Sequence, residues 1–233
     1  MDFLDPSSPI HARKNLERAI YLRDWAAFVP EGARVLDVGG GIGRFAVWCL
    51  DRDCSVVLIE ADPESLARAV AHTGGRIEAY WTTAERMPAV EGFDVAIACE
   101  LLCYVESPET ILEEIRERLR PGGVLLASVE ARNGWVAASD AAAGSLEAWM
   151  TDGVVHVPGD RFVRTYDRGS FEGLMEGFDT VSLRPTHYVS SGPFEHAAGL
   201  LSVDDALRWE DRLAEDPRAA DWNRAWTGVF RKR

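Results

Sequence analysis

The 233-residue chain predicts an α/β fold, a mostly parallel sheet with helices on both faces. Three observations carry this. Strand-like and helix-like segments alternate without interruption from Arg34 to Val129. The strands are apolar along nearly their whole length, as in Ser55-Val-Val-Leu-Ile-Glu60, which is the pattern of strands covered on both faces. The first strand also runs straight into Gly39-Gly40-Gly41-Ile42-Gly43, four glycines in five positions.

Taken in order, Ala12 to Phe28 spaces Leu16, Ala19, Ile20 and Arg23 at helical intervals, and Pro30-Glu31-Gly32 closes the segment. A helical segment over 1–32 therefore precedes the sheet. Arg34 to Val38 is strand one, followed by a helix from Gly43 to about Leu50 and strand two from Ser55 to Glu60. Asp62-Pro63-Glu64 then reads as an N-cap, a proline at the first helical position and an acid in the first turn. Ile77 to Trp81 and Phe93 to Cys99 are strands three and four. Ser107-Pro108 opens a helix to Leu119, which Pro121-Gly122-Gly123 stops before strand five, Val124 to Val129.

After strand five the periodicity loosens, and 130–166 is expected to form a lid or substrate insertion. A helix near Ser170 to Met175, an extended run Thr180 to Val189, a helix Asp204 to Glu215 and a last strand Ala225 to Phe230 complete the chain. The short link before that last strand predicts an antiparallel position at the sheet edge. No Pro- or Ser-rich linker divides 1–233, so one domain is expected.

The formal net charge of −13 disfavours a phosphate-backbone partner, because nucleic-acid binders concentrate cations. A small-molecule substrate is expected instead. No apolar run reaches membrane-spanning length, and Met1 to Ile10 lacks a basic start with an apolar core, so a cytoplasmic protein without a membrane partner is expected. Cys49, Cys54, Cys99 and Cys103 contain no Cys-x-x-Cys pair and lie in strand-like surroundings. They read as small buried hydrophobes, and no metal is implied.

Glycine accepts positive φ and has no Cβ, so the 39–43 stretch can turn sharply and bring backbone N–H groups close to a ligand. A helix starting near Gly43 adds its positive end. Gly39, Gly41 and Gly43 are the candidate contacts, and a tight turn without a ligand is the alternative. Asp37 lies just ahead of the glycines. Glu60 ends the next strand, 21 positions beyond Gly39, where a carboxylate can accept both hydroxyls of a ribose.

Four segments in order resemble the class I S-adenosylmethionine-dependent methyltransferases, most nearly the small-molecule type that acts in ubiquinone and menaquinone biosynthesis. They are Val35-Leu-Asp-Val-Gly-Gly-Gly-Ile-Gly43, Leu58-Ile-Glu-Ala-Asp-Pro63, Phe93-Asp-Val-Ala-Ile-Ala-Cys-Glu100 and Leu119-Arg-Pro-Gly-Gly-Val124. The resemblance implies a Rossmann-like sheet of seven strands, the last antiparallel, and S-adenosyl-L-methionine as cofactor. It also implies methyl transfer to a small metabolite, at oxygen or nitrogen in preference to carbon. Alternatives are a different group transfer from the same cofactor, or a cofactor-binding module that recruits a partner. Gly41-Ile-Gly43-Arg-Phe-Ala46 also fits a nicotinamide loop, but Asp37 and Pro121-Gly122-Gly123 favour the methyltransferase pattern.

By the same resemblance, the methionine end of the cofactor meets the glycine loop, with Asp37 either accepting from its ammonium or bracing the loop. The ribose meets Glu60. The adenine lies between Ala61 and the loop at Thr83 and Ala84, where relatives often carry an aspartate in place of Thr83. Glu85 is a candidate substitute or a solvated charge. Glu100 and Tyr104 follow strand four, close to where the family places the transferred methyl. Proton removal from an acceptor, if needed, falls to Tyr104, His156 or His187, each of which also has a structural reading. Trp135, Trp149, Phe162 and Tyr166 in the insertion form either a partly aromatic, apolar substrate pocket or a small core of their own. Arg13 is a candidate partner for a cofactor carboxylate or an exposed helix-end cation. Oligomeric state is not legible.

Overall fold

The computed structural model describes residues 4–8, 10–138, 153–155, 162–191, 194–195 and 200–233. Helix α1 (His11–Trp25) runs into a short 3-10 turn, Ala26–Phe28, and is followed by β1 (Arg34–Val38), α2 (Arg44–Leu50), β2 (Ser55–Glu60), α3 (Pro63–His72) and β3 (Glu78–Trp81). After these come β4 (Phe93–Cys99), α4 (Pro108–Arg118) and β5 (Leu119–Glu130). The rest of the described chain adds α5 (Arg132–Ala138), β6 (Val154–Val155), β7 (Val163–Arg164), α6 (Arg168–Leu174), β8 (Phe178–Thr186), α7 (Val203–Glu215) and β9 (Ala225–Lys232).

A seven-stranded sheet has the order β3-β2-β1-β4-β5-β9-β8, and β6 with β7 forms a separate antiparallel pair. Strand β1 is parallel to β2 and to β4, and β2 is parallel to β3. The last strands are antiparallel, as expected. The edge position predicted for the last strand is corrected: β9 lies between β5 and β8, and β8 forms that edge. Sequential linkage suggested an edge, but all six residues Ala225 to Phe230 are buried, which suits an inner strand. Strand β5 also begins at Leu119, earlier than predicted; it carries an exposed stretch, Arg120 to Gly122, with Gly122 at φ +72°, before the buried run from Gly123.

Two compact units make up the described chain. One comprises Trp25–Ala127, Leu174–Ser182 and Gly228–Arg233. Its core holds Val35, Leu36, Leu58, Ile59, Phe93, Ile97, Ile111 and Ile115, all fully or almost fully buried. The other comprises Met1–Asp24, Ser128–Gly173 and Leu183–Thr227, with Leu16, Ile20 and Ala206 forming a buried cluster. Three of the four cysteines are buried and all are free, in keeping with their reading as small hydrophobes. No helix among the described residues is long and apolar enough to cross a membrane.

In the first unit, Trp25 is fully buried, tilts against Phe45 at 5.4 Å and donates its indole N–H to the Gly228 carbonyl at 3.2 Å. Trp25→Phe removes that donor and leaves the carbonyl without its partner, and it also opens a void. The expected loss is about 2 kcal/mol in urea unfolding, and an unchanged midpoint would contradict this account of the core.

Candidate functional site

The turn between β1 and α2 is built from three glycines in the left-handed region, Gly39 (φ +68°), Gly41 (φ +55°) and Gly43 (φ +83°). Its N–H groups face inward. Gly39 and Gly40 donate to the Ile59 carbonyl at 2.8 and 3.2 Å, and Gly43 donates to the Gly40 carbonyl at 3.0 Å. The glycines are thus needed more for shape than as donors to a ligand. A Cβ on Gly43 would lie 3.1 Å from the Ala69 Cβ, so this glycine lets α2 approach α3. A Cβ on Gly41 would meet no atom within 4 Å, so Gly41 presents open surface.

Glu60, at the end of β2, holds this turn from the side. Its Oε2 accepts from the Gly41 N–H at 2.8 Å and its Oε1 from the Asp62 N–H at 2.8 Å. Each carboxylate oxygen keeps a second lone pair for another donor. Asp62 itself caps α3 through the Ser65 N–H at 2.9 Å, with Pro63 at the first helical position, as the sequence predicted. His72, at the other end of α3, donates from Nδ1 to the Ile42 carbonyl at 2.9 Å. The carbonyl can only accept, so the proton sits on Nδ1.

Beneath the turn, Asp37 is 2% exposed, and its Oδ2 has no hydrogen-bond partner among the described residues. That oxygen lies 2.8 Å from the position a Cβ on Gly40 would take, so it sits directly under the loop. Burial raises the Asp37 pKa to about 7, against the pull of the Arg44 guanidinium and with a further push from the Glu60 charge. Arg44 also reaches the Cys99 Sγ at 3.5 Å. This arginine is a neighbour that the sequence reading missed, and no motif would have announced it.

The neighbouring strand ends complete the rim. Ala61 is exposed, and its carbonyl accepts from the indole N–H of Trp81 at 3.0 Å. The Thr82 N–H donates to the Glu60 carbonyl at 3.2 Å, which brings the Thr83-Ala84 turn to the end of β2. Thr83 is exposed and Ala84 is buried; Glu85 is exposed in the 3-10 turn Ala84–Arg86. Arg118 grips the far side of this loop, donating to the Met87 carbonyl at 3.1 Å and the Pro88 carbonyl at 3.0 Å, and to Glu114 in its own helix at 2.7 Å. Past β4, Glu100 has φ +57°, and the Leu101 beside it fills the space where a Cβ on Gly39 would fall, at 2.9 Å. Tyr104 is 44% exposed and closes a turn through its N–H to the Leu101 carbonyl at 3.0 Å.

Asp37, Gly39, Gly41, Gly43, Glu60, Ala61, Thr83, Ala84, Glu100 and Tyr104 therefore all belong to one compact unit. His187 belongs to the other. It has φ +65°, is 1% exposed, tilts against the Tyr21 ring at 4.4 Å and lies 3.0 Å through Nδ1 from the Thr186 hydroxyl. In the same unit, Glu210 accepts from the Val189 N–H at 2.8 Å, and burial raises its carboxyl above the usual range. Trp135 and Tyr166 are buried in that unit too, and Arg13 pairs with Glu17 at 3.9 Å. His156 and Trp149 lie outside the described residues.

A glycine turn after the first strand, facing an acid at the end of the second, is an arrangement that α/β proteins use to bind nucleotide-type ligands at the carboxyl ends of their strands. The chain belongs to the methyltransferase-domain family, whose pattern matches residues 11–182. It is similar to the ubiquinone biosynthesis O-methyltransferase of Cereibacter sphaeroides, 36% identical over 116 residues. That match covers 48% of this chain and 47% of the relative, so the chain spans about half the length of the curated relatives it matches. Its fold matches an S-adenosylmethionine dependent methyltransferase from Mesorhizobium loti, with TM-score 0.68 and 18% identity over 93% of this chain and 100% of that one. It also matches the 1,6-didemethyltoxoflavin-N1-methyltransferase of Burkholderia thailandensis, whose structure holds 1,6-didemethyltoxoflavin and S-adenosylhomocysteine. There the TM-score is 0.60, with 19% identity over 98% of this chain and 81% of that one.

The buried Asp37 gives a pH signature. Its folded pKa of about 7 exceeds the unfolded value near 3.9, so between those limits the folded state binds more protons than the unfolded one. Its contribution to stability is then complete below about pH 4 and lost as pH rises through about 7. Asp37→Asn is expected to gain on the wild type by a few kcal/mol between about pH 4.5 and 8, read by urea unfolding at several pH values. A constant difference would refute the assignment.

Proposed function

We propose that this chain is an S-adenosylmethionine-dependent methyltransferase for an oxygen or nitrogen of a small, partly aromatic or apolar metabolite in the cytoplasm. One observation carries the reading: the open face of Gly41, the Glu60 carboxylate and the buried Asp37 oxygen meet at a single turn. These suit a ligand with a sugar diol and an amino-acid end whose ammonium can face an acid. In this reading Glu60 takes the ribose hydroxyls, Asp37 the ammonium, Ala61 with Thr83 and Ala84 the adenine, and Gly39, Gly43 and Glu100 shape the remaining wall. The family membership and the likeness to an O-methyltransferase support the reaction, with oxygen as the first acceptor to try.

S-adenosylmethionine, when bound, supplies a methyl group activated by its sulfonium for in-line displacement. The chain's own task is then to hold the acceptor atom behind that methyl and to exclude water. Tyr104 is our proposed contact to the acceptor, since its exposed side chain follows β4. His187 is buried, so a proton passed to it would need a path through protein, and His156 is the further proposed base. The acidic net charge of −13 fits a small-molecule substrate better than a nucleic acid.

Calorimetric titration with S-adenosylhomocysteine tests the site. Loss of charge-assisted hydrogen bonds in Glu60→Ala is expected to weaken binding about ten- to a hundred-fold. Gly41→Val fills the open face at a positive φ and is expected to weaken it further. Unchanged affinity in both variants would show that the site is misplaced. Because a cationic ammonium favours the ionised form of Asp37, binding near pH 6.5 should release a fraction of a proton. Titration in buffers of different ionisation enthalpy reads this, and Asp37→Asn is expected to abolish it.

A further inference from the structure

We infer that Trp81 forms an outer wall of the adenine slot and stacks on the purine face, an inference that rests on the cofactor site proposed above. Trp81 ends β3, the outermost strand on its side of the sheet. Its parallel register partner is Glu60. Register partners in neighbouring strands project to the same face, so the indole stands on the face from which the proposed ribose acid reaches the glycine turn.

Two further features separate this side chain from an ordinary surface aromatic. It is 70% exposed, well above Trp209 at 43% and Trp222 at 52%, so little of its ring is used in packing. The ring is nevertheless held, because its N–H donates at 3.0 Å to the carbonyl of Ala61, the residue proposed to touch the adenine. An indole fixed by its edge and bare on its face is a stacking platform. The small side chain of Ala61 leaves room beside it.

The platform also answers a chemical shortage. Thr83 is exposed and offers only a neutral hydroxyl to the edge of the base. Grip on the purine then has to come from its face, and stacking supplies this without reading the edge. Trp81 is in this view a binding residue for the nucleoside half of the cofactor and makes no demand on the amino-acid half.

The test uses the full chain, with S-adenosylhomocysteine, adenosine and L-methionine as probes. Trp81→Ala is expected to weaken S-adenosylhomocysteine and adenosine by about ten-fold each while leaving any L-methionine binding unaltered. Trp81→Phe, which keeps a ring, is expected to lose about three-fold or less. The difference in tryptophan fluorescence between wild type and Trp81→Phe should change when adenosine is added. If the wild type binds S-adenosylhomocysteine but Trp81→Ala binds it equally well and the fluorescence difference stays constant, the platform is refuted and the cofactor site stands. Failure of the wild type to bind S-adenosylhomocysteine would overturn both. If the only effect of Trp81→Ala were on self-association, seen by sedimentation, Trp81 would be an interface residue and the inference would fail.

Discussion

One carboxylate holds the shape on which the site depends. The turn after β1 has three residues at positive φ, an arrangement with little intrinsic stability, and the Glu60 side chain ties its crest by accepting the Gly41 N–H. This contact exists because β1 and β2 are parallel neighbours in a register that pairs Val38 with Ile59. Glu60 therefore emerges one residue later, level with the glycines. The same carboxylate receives the Asp62 N–H, so it joins the start of α3 to the entry of α2. A residue read from sequence as a ligand contact is also a brace for the loop that would contact the ligand.

Charge follows from the same layout. Asp37 and Glu60 place two acids around the turn, with Arg44 as the cation that opposes the effect of burial on Asp37. Desolvation outweighs the arginine, and the result is a carboxyl near the midpoint of its titration at neutral pH. A site of this kind has little attraction for an anion. It favours a positively charged ligand, because such a ligand gains the Coulomb energy that the protein has left uncompensated. The ammonium and the sulfonium of the proposed cofactor match that field.

Much of this was legible in the sequence, for local reasons. The glycines, the Asp62-Pro63 cap and the apolar strands are short-range signals, and each element they announced is present within a few residues of its expected bounds. The position of β9 between β5 and β8 was not legible, because strand order depends on which faces are buried by distant parts of the chain. Arg44 beside Asp37 was missed because a cation at the first position of a helix has many ordinary explanations. Trp81 carried a faint signal, an aromatic at the last position of a strand whose register partner ends in an acid, but its exposure and its bond to Ala61 needed coordinates. The aromatics between 130 and 166 divide similarly: Trp135 and Tyr166 are buried, which accords with the small-core alternative.

The fork of Arg118 has a consequence for how a ligand is captured. By gripping the carbonyls of Met87 and Pro88 from α4, it holds the stretch after β3, and a lysine could not span those acceptors in the same way. The ordering entropy of that rim is therefore settled before any encounter. On this side of the proposed cofactor site a ligand would meet a rim already held by hydrogen bonds, leaving approach and orientation as the terms that limit its association.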